Sequence, residues 1–415
     1  MIEYKKTTLS NGLTVIAHRD NSTPMAAVNV LYKVGARNEH PDHTGFAHLF
    51  EHLMFGGSIH IAEYDTPVQL AAGENNAFTN NDYTDYYITL PKENIETAFW
   101  LESDRMLQLA FNEKSLEVQR KVVVEEFNQR YLNQPYGDLW LLLRPLIYRV
   151  HPYRWATIGI APEHITQATM AEVKAFYRRY YNPDNAILSV AADMEHEQVF
   201  DLAQKWFGDI PRGEAFHDDI PAEPEQTEAR RLEVTRAVPA TVVMIVFRIG
   251  ARLSSEFVVC DVISDLLSNG NSSRLYQRLV KERGLFSGVN AYVTGDIDPG
   301  LFVVTGHLLS GVSTDQAEEA LWGELDALKT DDIADEELEK VRNKYESGVI
   351  FGEINGMNKA MNLGFYEMLG DIDLINREVD VFRAITREDI RREAEQLFVP
   401  EKSNTLIYRS EHESR

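Results

Sequence analysis

Apolar and polar positions alternate through the segment that ends at Tyr32-Lys33-Val34-Gly35-Ala36-Arg37, and a second alternating stretch ends at Phe247-Arg248-Ile249-Gly250-Ala251-Arg252. A period of two is that of a half-buried strand, and in both places a polar turn and then a helical period follow. The two halves also close alike. In the first, a helix leads through Tyr181-Asn182-Pro183 into the strand Ala186-Ile187-Leu188-Ser189-Val190; in the second, a helix leads through Phe398-Val399-Pro400 into Thr405-Leu406-Ile407-Tyr408. The shared order predicts an internal repeat. Between the halves, Pro211 to Glu228 is polar and carries three prolines, which continue neither a helix nor a central strand. The expected organisation is therefore an N-terminal domain over 1–211, a linker over 212–230 and a homologous C-terminal domain over 231–415. Hairpin signals such as Thr79-Asn80-Asn81-Asp82 between alternating runs point to an α+β fold in which each domain is a mainly antiparallel sheet packed with helices.

The helical period is clearest after the first repeat strand. Phe46, Leu49, Phe50, Leu53 and Met54 fall at i, i+3, i+4, i+7 and i+8, with Thr44 or Asp42 as the expected N-cap and Gly56 beyond the end. At about 100° per residue, His48, Glu51 and His52 share the face opposite that stripe. Two histidines one turn apart can hold one tetrahedral cation, leaving room for a third protein ligand and a water. Glu51 projects from the same face, where a carboxylate can take a proton from a metal-activated water and pass it to a leaving amine. A third ligand belongs on a second helix facing the first. The helix expected over Leu116–Tyr131 has a core stripe of Leu116, Val123 and Phe127; Glu126 lies beside that stripe and Glu125 points away, so Glu126 is the expected ligand.

Composition narrows the function classes. The chain has 415 residues, 44% hydrophobic and 26% charged, which is enough for two or three domains of a globular protein. Its formal net charge of −24 repels nucleic acid and anionic membranes and favours cationic ligands such as basic peptides. The one cysteine, Cys260, stands in an aliphatic run and reads as core, so neither an intrachain disulfide nor a cysteine metal cage is expected. No run of 18 apolar residues suggests membrane insertion, and Met1-Ile2-Glu3-Tyr4-Lys5-Lys6 opens without an apolar leader. The expectation is a cytoplasmic protein, or a periplasmic one if a leader has been removed.

His48-Leu49-Phe50-Glu51-His52, the helix Arg120-Lys121-Val122-Val123-Val124-Glu125-Glu126, and Gly73-Glu74-Asn75-Asn76-Ala77-Phe78-Thr79 before Tyr86-Tyr87 together resemble the pitrilysin (M16) family of zinc peptidases, whose signature reverses the thermolysin order. The likeness extends over the whole chain and includes the repeat. It implies one zinc per chain on His48, His52 and Glu126, the last standing 74 residues after His52. It implies Glu51 as general base, and Asn76, Ala77 and Phe78 as part of an edge strand that captures extended peptides by strand addition. At this length the chain is similar to the processing-peptidase branch, which includes mitochondrial presequence peptidase subunits and bacterial relatives that pair two such chains around a chamber.

Two positions depart from the family pattern. Gln119 stands where a glutamate is frequent, seven residues before the ligand glutamate. Around Lys281-Glu282-Arg283-Gly284-Leu285, Val280 and Ser287 occupy the places of an arginine and a tyrosine thought to grip the substrate and its developing oxyanion, and neither can donate as those groups do. The second half also has Asp261, Ser264 and Asp265 where the first has His48, Glu51 and His52. The expectation is a zinc endopeptidase subunit for unfolded peptides, working as a heterodimer with a related chain that supplies the Arg/Tyr pair. The alternative is a non-catalytic core subunit of the same fold.

Overall fold

A computed structural model describes residues 1–411 apart from Ala215 and His217. The linker expected over 212–230 includes those two residues, and the C-terminal domain expected over 231–415 includes 412–415; these positions lie outside the described residues.

The chain divides into two compact units. The first comprises 1–130, 155–221 and 350–377, and the second 131–154, 222–349 and 378–415. The first unit holds a six-stranded sheet of β1 (Lys5–Thr8), β2 (Thr14–Arg19), β3 (Met25–Tyr32), β4 (Glu74–Thr79), β5 (Thr84–Pro91) and β6 (Ala186–Ala192). Its order is β1-β2-β6-β3-β5-β4, antiparallel except for the parallel pair β2/β6. The expected hairpin joins β4 to β5. Asn80 Oδ1 accepts the N–H groups of Asp82 and Tyr83, an Asx turn that reverses the chain locally.

The second unit repeats the plan with β7 (Arg230–Arg236), β8 (Val242–Arg248), β9 (Phe286–Val293), β10 (Leu301–Leu308) and β11 (Asn404–Ser410), in the order β7-β11-β8-β10-β9. Again one pair, β7/β11, is parallel and the others are antiparallel. Position for position, β2, β6, β3, β5 and β4 correspond to β7, β11, β8, β10 and β9, and a helix follows β3 (Phe46–Leu53) as one follows β8 (Ser255–Ser268). The fold is α+β with two homologous sheet-and-helix domains.

The contact units differ from the sequential halves in one respect. Every residue of β6 is buried, as are seven of the eight in β3. Such strands need apolar cover on both faces of the sheet. In the first unit, part of that cover comes from helix Gly356–Leu369. Its Ala360 packs with Ala27 and Ala191, and its Leu363 joins the cluster of Ile16, Leu31 and Ile187. In the second unit, helix Leu139–Ile147 does the same, with Leu143 and Ile147 against Val242, Met244, Val246 and Leu406. Each sheet is therefore covered partly by a helix from the opposite half of the sequence. Cys260 is fully buried in the core of the second unit, as its aliphatic neighbours suggest. Among the described residues, no helix is long and apolar enough to cross a membrane.

Candidate metal centre

Helix Phe46–Leu53 starts at Gly45, not at the expected Thr44 or Asp42. Gly45 has φ +86, and a Cβ there would stand 2.6 Å from the Ile158 carbonyl oxygen, so both backbone conformation and space call for glycine. Thr44 is occupied elsewhere: its hydroxyl lies 2.8 Å from His164 Nδ1 and accepts the Ile160 N–H at 2.9 Å. The stripe Phe46, Leu49, Phe50 and Leu53 is buried as the period requires. His48 is buried too, with 8% of its surface exposed, while Glu51 and His52 are half-buried.

The facing helix is Glu113–Phe127, capped by Asn112 Oδ1 on the Ser115 N–H, and it passes into a wider turn over Asn128–Leu132. Leu116, Val123 and Phe127 are its buried stripe. Glu125 is exposed and accepts from Gln129 Nε2, whereas Glu126 turns towards the histidines. Glu126 Oε2 lies 3.7 Å from His48 Nε2 and 3.4 Å from His52 Nε2, and its Oε1 pairs with Arg130 Nη2 at 3.1 Å. The two imidazoles meet edge to face with centroids 4.9 Å apart.

These separations bear on what the site can hold. With metal–ligand bonds of about 2.0–2.1 Å, the edges of a tetrahedron are roughly 3.3–3.4 Å. Glu126 Oε2 stands close to one such edge from each histidine nitrogen, at distances long for hydrogen bonds, and the three donor atoms lie within 4.8 Å of one another. Burial, with the charges of His52 and Arg130, pulls His48 down to about 3, so its imidazole is neutral and keeps a lone pair for a cation. The donor set fits a zinc ion.

Glu51 shares this face. Burial raises its carboxyl pKa, and Glu126 adds to the effect, against the opposing pull of Thr79, His52 and Arg130. Helix Phe46–Leu53 also packs beside β4, the outermost strand of its sheet. On β4, Asn76 is exposed, Ala77 and Phe78 are half-buried, and Phe78 makes an edge-to-face contact with Tyr83 across the hairpin. In the second unit, Val280 packs against the apolar core, and the Ser287 hydroxyl donates to the His307 carbonyl at 3.2 Å.

Two buried charged groups in the first unit, Glu39 and Arg105, have no signature in the local sequence pattern. Glu39 is buried and binds the start of the histidine-bearing helix; burial raises its carboxyl pKa, and the N–H groups of Ala47 and Gly45, one on each oxygen, pull the other way and favour the carboxylate. Arg105 is buried on Glu102 and lies over the rings of Tyr86 and Tyr64, and Tyr86 in turn reaches the Phe50 carbonyl. A charged residue in a polar stretch gives no sign of such burial beforehand.

Residues 14–136 match the family profile described as "Insulinase (Peptidase family M16)", and residues 167–345 match that of the "Peptidase M16 inactive domain". The chain belongs to peptidase family M16. Within that family it is 29% identical over 411 residues to "Zinc protease PqqE" of Helicobacter pylori (strain ATCC 700392 / 26695), covering 98% of this chain and 92% of the relative. It is 25% identical over 408 residues to "Uncharacterized zinc protease YmxG" of Bacillus subtilis (strain 168), covering 97% and 98%. The crystal structure of a protease from Helicobacter pylori superposes with a TM-score of 0.93 at 28% identity, over 99% of this chain and 100% of that one. Pitrilysin shares the fold at 16% identity with a TM-score of 0.78, over 98% of this chain and 45% of its own. The M16 relatives named as zinc proteases agree with the donor set found at Glu126.

Proposed function

We propose that this chain is a zinc-dependent endopeptidase subunit that hydrolyses unfolded peptides. The observation that carries the reading is the convergence of His48 Nε2, His52 Nε2 and Glu126 Oε2 beside the half-buried carboxyl of Glu51. Zinc, when bound by these three residues, supplies Lewis acidity and brings the pKa of water towards neutrality. Glu51 holds the proton: its carboxylate accepts it from the attacking water and returns it to the leaving amine, a role suited to a carboxyl whose pKa is raised. Asn76, Ala77 and Phe78 lie on an edge strand, where backbone pairing can hold an extended peptide with little regard to its sequence.

The same reading includes a partner chain. Val280 offers no donor and the Ser287 hydroxyl is already turned to a backbone carbonyl, while the nearby Arg278 is paired with Glu324 and Asp331. A related M16 subunit would contribute the arginine and tyrosine that bind substrate. The test is to assay a quenched peptide library with the chain alone and with a candidate paralogue, measuring zinc content in parallel. Zinc-dependent cleavage by the pair, abolished in Glu51→Gln at unchanged zinc content, is expected. Strong activity of the lone chain would overturn the partner, and activity indifferent to Glu51→Gln would overturn the mechanism. A chain that binds no zinc would be the non-catalytic core subunit instead.

A further inference from the structure

Helix Phe46–Leu53 has only eight residues, yet it carries His48, Glu51 and His52. A helix so short is marginal in isolation, so the direction of its side chains depends on what holds its ends. The first N–H groups of any helix lack partners within it. Gly45 at the N-cap has no side chain to accept them. The place is taken by Glu39, a residue only 6% exposed: its Oε2 accepts the Gly45 N–H and its Oε1 the Ala47 N–H, each at 2.8 Å. Glu39 is itself fixed, since its backbone N–H donates to the Ala36 carbonyl, which also accepts Trp155 Nε1 at 2.9 Å. Ala47 immediately precedes His48.

We infer that Glu39 is a positioning residue for the metal centre, its buried carboxylate clamping the start of the histidine-bearing helix so that His48 and His52 meet Glu126. The inference rests on the zinc reading above. A carboxylate suits the place because two N–H donors need two acceptors; a carboxamide offers one and turns its own NH2 against the other donor. Its negative charge also complements the helix N-terminus. Glu39 reaches the ligands through the backbone N–H groups of this helix. Removing its charge also relieves the cost of burying a carboxylate, which offsets the lost bonds in overall stability.

The test uses the full chain carrying Glu39→Gln or Glu39→Asp, with zinc affinity from chelator competition, the visible spectrum of the cobalt-substituted protein, and the thermal midpoint without metal. Glu39→Gln is expected to weaken zinc binding roughly 10–100-fold, the usual loss for an outer partner of a ligand, and to change the cobalt spectrum at a near-native midpoint. Glu39→Asp, which keeps the charge on a shorter arm, should fall between. Zinc affinity within twofold of wild type with an unchanged cobalt spectrum would overturn the inference. So would failure of Glu39→Gln to fold, because Glu39 would then serve the domain as a whole. A wild-type chain that binds neither zinc nor cobalt would remove the zinc reading and this inference together, whereas normal binding in both variants removes only the role of Glu39.

Discussion

His52 Nε2 stands 3.4 Å from Glu126 Oε2, although the two residues are 74 positions apart and reach each other from separate helices. Only packing of helix Phe46–Leu53 against Glu113–Phe127 brings them together. If Glu126 is the third ligand, Glu126→Gln should weaken zinc binding by more than the roughly 10–100-fold typical of losing an outer partner. The exposed neighbour supplies the control: Glu125→Gln should leave affinity unchanged. Chelator competition decides, and equal affinities for the two variants would remove Glu126 from the ligand set.

Beneath the same helix, Arg105 Nε donates to Glu102 Oε2 at 2.8 Å, and Tyr64 donates to Glu102 Oε1 at 2.6 Å. Both charged side chains are almost fully buried. Removing one partner of a buried pair strands the other charge, so Arg105→Met should cost about 3–5 kcal/mol, and Arg105→Met with Glu102→Leu should recover much of that loss. Urea denaturation checks this; a double variant no more stable than the single would mean that the arginine acts through packing over Tyr86 and Tyr64, not through its charge.

The centre was more legible in sequence than its supports. A stripe at 46, 49, 50 and 53 fixes which face carries His48, Glu51 and His52, and the stripe Leu116, Val123 and Phe127 turns Glu126 inward and Glu125 outward, because both are properties of a single helix. The repeat was legible for the same reason: strand, turn and helix recur in the same order. Contacts between distant segments have no such local signature. Glu39 looks like one more polar turn residue until Gly45 is seen to lack a cap, and the expected Thr44 cap fails because its hydroxyl is taken by His164 and Ile160. The helices that cross from one half of the sequence to the sheet of the other were hidden too, although the unbroken apolar run of β8 and the wholly buried β6 signal sheets covered on both faces.

That exchange has a consequence for fragments. A piece ending at residue 211 lacks helix Gly356–Leu369, leaving Ala27 and Ala191 without Ala360, and Ile16, Leu31 and Ile187 without Leu363. Fragment 1–211 should therefore bind a hydrophobic dye and unfold without a cooperative transition, and attaching residues 350–377 through a flexible tether should reduce dye binding. Sharp cooperative melting of 1–211 alone would show that this cover is dispensable.

In the second unit, burial and the neighbouring Glu256 push Glu393 up to about 7 from an ordinary 4.5. The folded state therefore holds a proton that the unfolded state has released between those two values, and stability from this group falls as pH rises through that window. Glu393→Gln should stabilise the protein at pH 8, on the order of 1 kcal/mol after allowance for solvent screening, and make little difference near pH 4. Thermal midpoints at the two pH values test it; a gain of the same size at both would point to better packing instead of a relieved charge.

Strand addition at β4 requires N–H and C=O groups that an incoming peptide can use. At Ala77 the N–H is already engaged, donating to the Asn76 side-chain Oδ1 at 2.9 Å. A peptide that paired with this N–H would have to displace the carboxamide, so on the proposed mode of binding Asn76 would compete with substrate at this edge. A typical net hydrogen bond contributes about 0.5–1.5 kcal/mol, which corresponds to roughly 2–10-fold in affinity. Asn76→Ala should accordingly lower KM within that range while leaving kcat near its starting value, and a substrate N-methylated along its backbone should lose the benefit. Steady-state kinetics of the zinc-loaded assembly separates the possibilities. A higher KM in Asn76→Ala would mean that the carboxamide binds substrate directly, and insensitivity to backbone methylation would mean that peptides are not held by pairing with β4.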